Sequence, residues 1–454
     1  MMGIPNLPKK LPSRNWMIFW AVLGTFSAAV VYDKREKRRA TARWARSVAH
    51  LAREPLSSPN QMPRRLTVFL EAPPGDGLRV AQDHFAEYVK PILAASGLDW
   101  EFVQGRKEGD VRAAVAERIR RTRQSPQERQ KLQQQREGEE PPVLTQEEIL
   151  REVRARNGTP EWEGVRGDII VGRHTWKEYV RGLHEGWLGP LTAPTAPAEG
   201  NSSDGGGGGD EESKPAEEKQ EKKEEEKETP KKPERPPQPP PYNTPADYAS
   251  AALPATTPTE LGPAAPIPFP HILGFSNTPT RLARFLNRRR LADDIGREVA
   301  AACLAAAREF RREADGEELA TTLDHEERDW GKWVWKDAAE AEEKREQEDL
   351  QRPQRLGEYS AEDVGNNSNN GNSGEKTATM TKKEFIWAKP LVVDPRLRER
   401  MRRFELAAAA AERAARIAVP EEEVEGWIKG GARALWRWAT TKPEPRPNWV
   451  ADDE

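Results

Sequence analysis

The chain has one cysteine, Cys303, among 454 residues, so no disulfide can close within it and no cysteine-based zinc site can be assembled. Flanked by Ala301, Ala302 and Leu304, that thiol reads as a packed helix position rather than a reactive group. Histidine is also scarce: the six histidines are scattered, with no HExxH or comparable pair. The G-x-S-x-G nucleophile elbow is missing, and so is the G-K-[ST] of a phosphate loop. Redox, zinc and serine-nucleophile chemistry drop out. Apolar residues make up only 36% of the chain against 32% charged, which limits the compactly folded part to about 200–250 residues. The formal net charge of −3 argues against a dedicated nucleic-acid binder, although the charges are segregated, basic early and acidic in the low-complexity stretches. Membrane-length apolar runs are absent everywhere but one place.

That place is Trp16 to Tyr32, WMIFWAVLGTFSAAVVY. At ~1.5 Å per residue it reaches roughly 25 Å, near the lower limit for a spanning helix. Trp16, Trp20 and Tyr32 suit the interfacial aromatic belt, and Lys9, Lys10 and Arg14 close the other end. Signal-peptide cores are usually shorter, and no clean small-x-small cleavage site followed by an acidic or neutral mature start appears after it, so the run is expected to be an uncleaved anchor. Gly24 and Ala28 make a small-xxx-small face of the kind that lets helices approach closely in lipid.

Lys34 to Arg53 is expected to continue as a helix, with Trp44, Val48 and Leu51 at i, i+4 and i+7. Arg35, Lys37, Arg38, Arg39, Arg43 and Arg46 crowd its remaining surface. Two readings stay open: these cations and Trp44 contact anionic headgroups, or the segment is a solvated stalk.

Strand and helix patterns then alternate. Arg65–Leu70, Trp100–Val103 and Asp168–Val171 are β-rich, whereas Val80–Leu93, Val111–Ile119, Gln146–Ala155 and Trp176–Leu183 have helical spacing. The expectation is an α/β fold: an N-terminal transmembrane helix, a small mostly parallel α/β domain, then helical segments joined by disordered linkers. In residue numbers the expected organisation is a tail at 1–14, the anchor at 15–32, the basic stalk at 33–62 and the α/β domain at 63–191. A Gly/Glu/Pro linker at 192–266, a helical region at 267–362, an Asn-rich linker at 363–380, a C-terminal helical region at 381–440 and a tail at 441–454 follow. Within the C-terminal regions, Phe385–Trp387 and Leu391–Val393 look β-prone. Asp394-Pro395 is expected to begin a long helix with Leu397, Met401 and Phe404 on one face. Trp427, Ile428, Leu435 and Trp438 fall in one stripe of the last helix, a candidate partner face.

Candidate chemistry is thin. Gly75-x-Gly77 follows a strand where a dinucleotide loop would sit, but a third glycine is lacking, so an ordinary turn is the default. His174 follows the third strand at a site position for an α/β fold, and His184, ten residues on, matches no helical metal pairing. No catalytic, cofactor-binding or metal residues are assigned.

Several islands carry a resemblance: GIPNLPKKLPSRNWMIFW at Gly3–Trp20, RRLTVFLEAPPGD at Arg64–Asp76, DIIVGRHTWKEYVRGLHEGWLGPL at Asp168–Leu191 and HILGFSNTPTRLARFLNRR at His271–Arg289. DPRLRERM at Asp394–Met401 is a weaker one. In this order they resemble the fungal fifty-four-kilodalton subunit family of the mitochondrial inner-membrane carrier translocase. The resemblance implies a non-enzymatic membrane scaffold, single-pass in the mitochondrial inner membrane, with its large C-terminal portion in the intermembrane space. Implied partners are the channel-forming and other translocase subunits, small intermembrane-space chaperone complexes and the inner-membrane AAA protease; the basic stalk adds anionic lipids. Charge alone favours the opposite orientation, because more Lys and Arg follow the anchor than precede it. It leaves open a reticulum-membrane tether, and the fold leaves open a membrane-anchored enzyme acting on nucleotide or lipid.

Overall fold

The computed structural model describes residues 13–55, 61–124, 164–192, 238–313, 316–340 and 384–424, with a few isolated positions besides. The expected helix around 146–155 falls almost wholly outside them.

Helix α1 (Arg14–Val48) is a single 35-residue helix. Its first half is the apolar run, and its second half buries Ala40, Trp44 and Val48. Strand β1 (Arg65–Glu71) leads into α2 (Leu78–His84), which passes through a π turn (Phe85–Val89) into α3 (Lys90–Ser96). Gly97, at φ +69°, ends that helix in the left-handed conformation glycine adopts without strain. Strand β2 (Asp99–Gly105), α4 (Asp110–Arg123), β3 (Gly167–Val171) and α5 (Arg173–Leu188) complete the alternation expected over this stretch.

The sheet does not stop there. Strand β4 (Ala264–Ile267), β5 (Ala307–Glu309), the small β6–β7 hairpin (Arg312–Glu313, Gly316–Glu317) and β8 (Arg402–Phe404) follow. Six strands form one sheet in the order β2-β1-β3-β4-β8-β5, parallel except for the β5–β8 pair. The register sets Leu66 opposite Trp100, Val68 opposite Ile169 and Ile169 opposite Ala265. Strand β4 contains Pro266, which a central strand does not tolerate. The β4–β8 pairing involves only Ala264 and Arg403, however, so Pro266 is bonded on one side only.

Alternation along the strands splits the core in two. Leu66, Val68, Leu70, Ile169, Val171, Ala265 and Ile267 face one layer, built from the second half of α1, from α2–α3 and from α7 (Arg288–Cys303). Phe69, Ile170 and Ala264 face the other, where Val111, Val115 and Ile119 of α4 meet Trp176, Tyr179, Val180 and Leu183 of α5. Both faces are covered, as a mostly parallel sheet requires. Helices α4 and α5 approach closely: a Cβ at Gly182 would lie 2.7 Å from the Arg112 carbonyl oxygen, and one at Gly186 the same distance from Ile119 Cβ. Cys303 is buried at the end of α7, where burial pushes its thiol up to about 11.

Several local expectations meet a different outcome. No strand forms at 385–393; Ile386 and Trp387 instead join Trp330 and Val334 in a third apolar cluster. The long helix expected from Asp394 is a four-residue turn of helix, Pro395–Arg398, followed by β8 and a separate helix, Ala408–Ala415. Leu397 and Met401 lie in one core layer and Phe404 in the other. A helical stripe could not serve two layers. Residues 238–263, which by composition belong to a linker, run along the second layer and bury Tyr248 and Leu261.

Candidate functional site

Two regions combine geometry with charge: the point where α1 leaves its apolar run, and the crevice at the carboxyl ends of β1 and β3.

At the first, Asp33 follows Tyr32 directly and is nearly fully buried. Its Oδ2 accepts the Arg288 backbone N–H at 3.2 Å, and its Oδ1 accepts that of Arg289 at 3.3 Å, with the Arg289 guanidinium 3.4 Å away. A carboxylate at a helix N-terminus satisfies otherwise orphaned donors and complements the helix dipole. The Arg289 guanidinium also lies 5.4 Å from the centre of the Tyr32 ring. Eleven residues further along, Trp44 is buried against α7, where its Nε1 donates to Asp293 Oδ1 at 2.6 Å.

The cations of the basic half of α1 meet acidic residues from elsewhere in the fold. Arg43 pairs with Asp293, Arg35 and Arg39 with Glu421, and Arg46 with Glu423 at 2.6 Å. Lys37 pairs with Glu87 and sits 4.2 Å over the Tyr88 ring. Burial pulls the Lys37 ammonium below its ordinary range, and Glu87 acts in the opposite direction. Arg38 is exposed and borders a groove of about 690 Å³ with Lys34, Lys37, Arg288, Val30 and Phe285 on its walls.

Within the apolar run, Trp16, Trp20 and Tyr32 are more than half exposed. Gly24 has open space around it and Ala28 is exposed, so no described residue covers that face. Among the described residues this is the one helix long and apolar enough to cross a membrane, and its apolar window is wholly uncovered. Of the C-terminal stripe, Leu435 is exposed, while Trp427, Ile428 and Trp438 lie outside the described residues.

The second region is where the strand order reverses, between β1 and β3, the usual ligand crevice of an open α/β sheet. Here it is filled by the chain itself. Lys177 Nζ donates to the carbonyls of Trp387 (2.8 Å) and Lys389 (3.0 Å), and the Trp387 Nε1 donates to Glu178 (3.1 Å). Glu178 also accepts the backbone N–H groups of Gly109, Val111 and Arg112. Glu71 lies beside it. Burial, then the charge of Glu178, holds the Glu71 carboxyl well above the carboxylate range, while burial pushes Glu178 up to about 7. Two adjacent buried carboxylates oppose each other's ionisation. His174 Nε2 is 3.1 Å from the Glu71 carbonyl, and burial pushes its imidazole down to about 4. It is a neutral core histidine.

Above the plug a cleft of about 630 Å³ remains over the Pro73–Gly77 turn, bordered by Arg106, Lys107, Trp333 and Phe385. Gly75, at φ +90°, packs so that a Cβ would lie 2.7 Å from Leu273 Cδ1, whereas a Cβ at Gly77 would meet nothing within 4 Å. The turn thus serves the chain's own packing at Gly75.

Sequence reading missed Asp33, Asp293 and Glu185 as organising residues. A lone acid after an apolar run was a usable signal; the other two sit among many carboxylates and carry no local mark. Glu185 is buried between Arg112 and Arg120, tying α5 to α4.

Comparison with known proteins completes the assignment. The family model described as "Inner membrane protein import complex subunit Tim54" matches residues 1–404. The chain is 55% identical to mitochondrial import inner membrane translocase subunit tim54 of Neurospora crassa, over 97% of this chain and 87% of that one. It is 41% identical to the subunit of the same name from Aspergillus oryzae, over 98% and 93% of the two chains. With that of Schizosaccharomyces pombe it shares 34% identity over 72% and 87%. With a family match over most of its length and relatives this similar, the chain belongs to the Tim54 family of inner membrane protein import complex subunits.

Proposed function

We propose that this chain is a non-enzymatic scaffold subunit of the translocase that inserts multi-spanning carrier precursors into the mitochondrial inner membrane. In this reading it holds small intermembrane-space chaperone complexes near the channel-forming subunit. The observation that carries it is the continuity of α1, which runs unbroken from the apolar segment into the core and is clamped there by Asp33, Trp44 and Asp293. A domain rigidly mounted on its anchor presents a docking face at fixed height and orientation above the bilayer. The filled crevice between β1 and β3 supports a scaffold over a catalyst. Candidate contacts are the uncovered Gly24–Ala28 face toward a partner helix and the stripe of Trp427, Ile428, Leu435 and Trp438 toward a soluble partner. Affinity purification in mild detergent should recover a multi-spanning channel protein, and depletion should reduce carrier import. Recovery of the chain alone, with import intact, would sink the proposal.

In this reading the large C-terminal portion faces the intermembrane space. The positive-inside excess behind the anchor opposes this, but most of those cations have acidic partners within the fold, which supports a structural use for them. Protease added to mitochondria with ruptured outer membranes should digest a C-terminal tag; protection of the tag would reverse the orientation.

The cleft over Pro73–Gly77 is the observation that favours an enzyme acting on nucleotide or lipid. Saturable nucleotide binding that disappears on Gly77→Val would establish that reading. Gly77 is the cleaner probe, because substitution at Gly75 disturbs Leu273.

A further inference from the structure

Helix α6 (Thr278–Phe285), with the helical turn before it (Phe275–Asn277), is poorly explained by the fold. It buries none of its residues. Phe275 is 93% exposed, and Leu282 and Phe285 are 49% and 39% exposed. Leu282 and Phe285 stand at i and i+3 on one side of the helix, and Phe275 lies in the turn that leads into it. Scattered exposed apolar residues need no explanation, but three on one short amphipathic segment do.

Its position supplies the explanation. Phe285 is three residues before Arg288, whose backbone N–H is held by Asp33, and Asp33 is the first residue beyond the apolar run. Arg289 reaches back over Tyr32, an interfacial aromatic of the anchor. These two ties set the C-terminal end of α6 at the height where α1 leaves the hydrocarbon. The headgroup layer extends about 5–7 Å beyond that level. The charges agree. Arg281 lies within the segment and Arg288 and Arg290 just beyond it, and Lys34, Arg38 and Arg288, beside Asp33, Glu87 and Glu423, line the groove that runs from Phe285 back to Val30. Apolar side chains pointing outward among arginines, at the exit of a spanning helix, are the pattern of a segment lying in the plane of an anionic membrane surface.

We propose that Phe275–Phe285 is a second membrane contact. The segment inserts Phe275, Leu282 and Phe285 into the headgroup layer of the bilayer that α1 crosses, and anionic phospholipid headgroups meet the arginines beside it. The anchor then fixes the height of the domain, and this segment fixes its rotation about α1. The occupant is lipid because the surface is continuous with the membrane segment and its charge complements acidic phospholipid.

The test uses the full chain with Cys303→Ala, reconstituted in phosphatidylcholine vesicles with and without phosphatidylglycerol. A cysteine-linked environment-sensitive fluorophore is placed at Phe275→Cys or, as a control on the opposite face of the sheet, at Ser250→Cys. Headgroup-depth lipid quenchers should quench the label at 275 far more than that at 250, and more strongly with phosphatidylglycerol present. With the label kept at 275, Leu282→Ser with Phe285→Ser should abolish the difference while helicity stays unchanged, since both side chains are exposed. Equal quenching at 275 and 250 overturns the proposal. So does a label at 275 that is shielded only when the purified translocase complex is present, which would mean that a protein covers the segment.

Discussion

Gly296 lies flat against the Trp44 indole, so closely that a methyl group added at Gly296 would overlap the ring. This contact seats the anchor helix on α7. It explains a glycine in the middle of a helix, where glycine otherwise costs about 1 kcal/mol relative to alanine. Replacing Gly296 by Val should force the two helices apart and destabilise the domain by about 1–3 kcal/mol, the usual range for overpacking. Thermal unfolding in detergent measures it. An unchanged midpoint would mean that α1 is not seated there.

Asp33 is the second clamp. Asp33→Ala leaves the first backbone donors of α7 without their acceptor and should cost about 1–2 kcal/mol. Limited proteolysis should show faster cleavage near Arg288–Arg290 in the variant, and an unaltered digestion pattern would refute the capping role.

Glu185 bridges Arg112 and Arg120 in the second layer, and all three are buried. Removing the carboxylate strands two buried cations, so Glu185→Ala should destabilise by about 3–5 kcal/mol. The triple replacement with Arg112→Met and Arg120→Met should recover much of that loss, as apolar substitutes for buried ion pairs often do. Chemical denaturation of the three-residue variant against the single one decides the matter; no recovery would contradict the account.

His184 gives a pH signature. Its Nδ1–H donates to the Val180 carbonyl, and its Nε2 accepts the Asp394 backbone N–H, both at 2.8 Å. Burial, with Arg181 nearby, pushes the imidazole down to about 4, against the opposing pull of Asp394 and the Val180 carbonyl. An unfolded imidazole takes up a proton near pH 6.5. Between about pH 6.5 and 4 the unfolded chain therefore binds the extra proton, and stability falls as pH falls. Glu71 and Glu178, raised rather than lowered, have the opposite sign, so the difference between variant and wild type is the readout. His184→Gln should be less stable at neutral pH but lose less on acidification. Parallel pH profiles would exclude a neutral buried His184.

Much of the fold was legible locally. The β-rich runs at β1, β2 and β3 and the helical spacing of α4 and α5 appear where they were expected, because short apolar runs suit strands covered on both faces and helical spacing suits helices packed on such a sheet. Strands β4 and β8 were not legible. Ala264–Ile267 contains Pro266, and Arg402–Phe404 has two arginines and follows a helix-like spacing of Leu397, Met401 and Phe404. Their pairing is created by neighbours far away in sequence, β3 and α7, and no local pattern encodes it. The Trp330 and Trp387 cluster was hidden for the same reason: its members come from segments on either side of an Asn-rich stretch.

The anchor marks the division most clearly. An unbroken apolar run, interfacial aromatics and a following basic helix are properties of composition and spacing, and the sequence by itself determined them. Where that helix goes was decided only by tertiary structure. The six cations around Trp44 look identical whether they face lipid, water or protein, since charge density does not reveal a partner hundreds of residues away. Asp293, Glu421 and Glu423 reach them through the fold, Gly296 makes room for the indole, and Asp33 meets the start of α7. Long-range pairing turned an apparent stalk into a core helix.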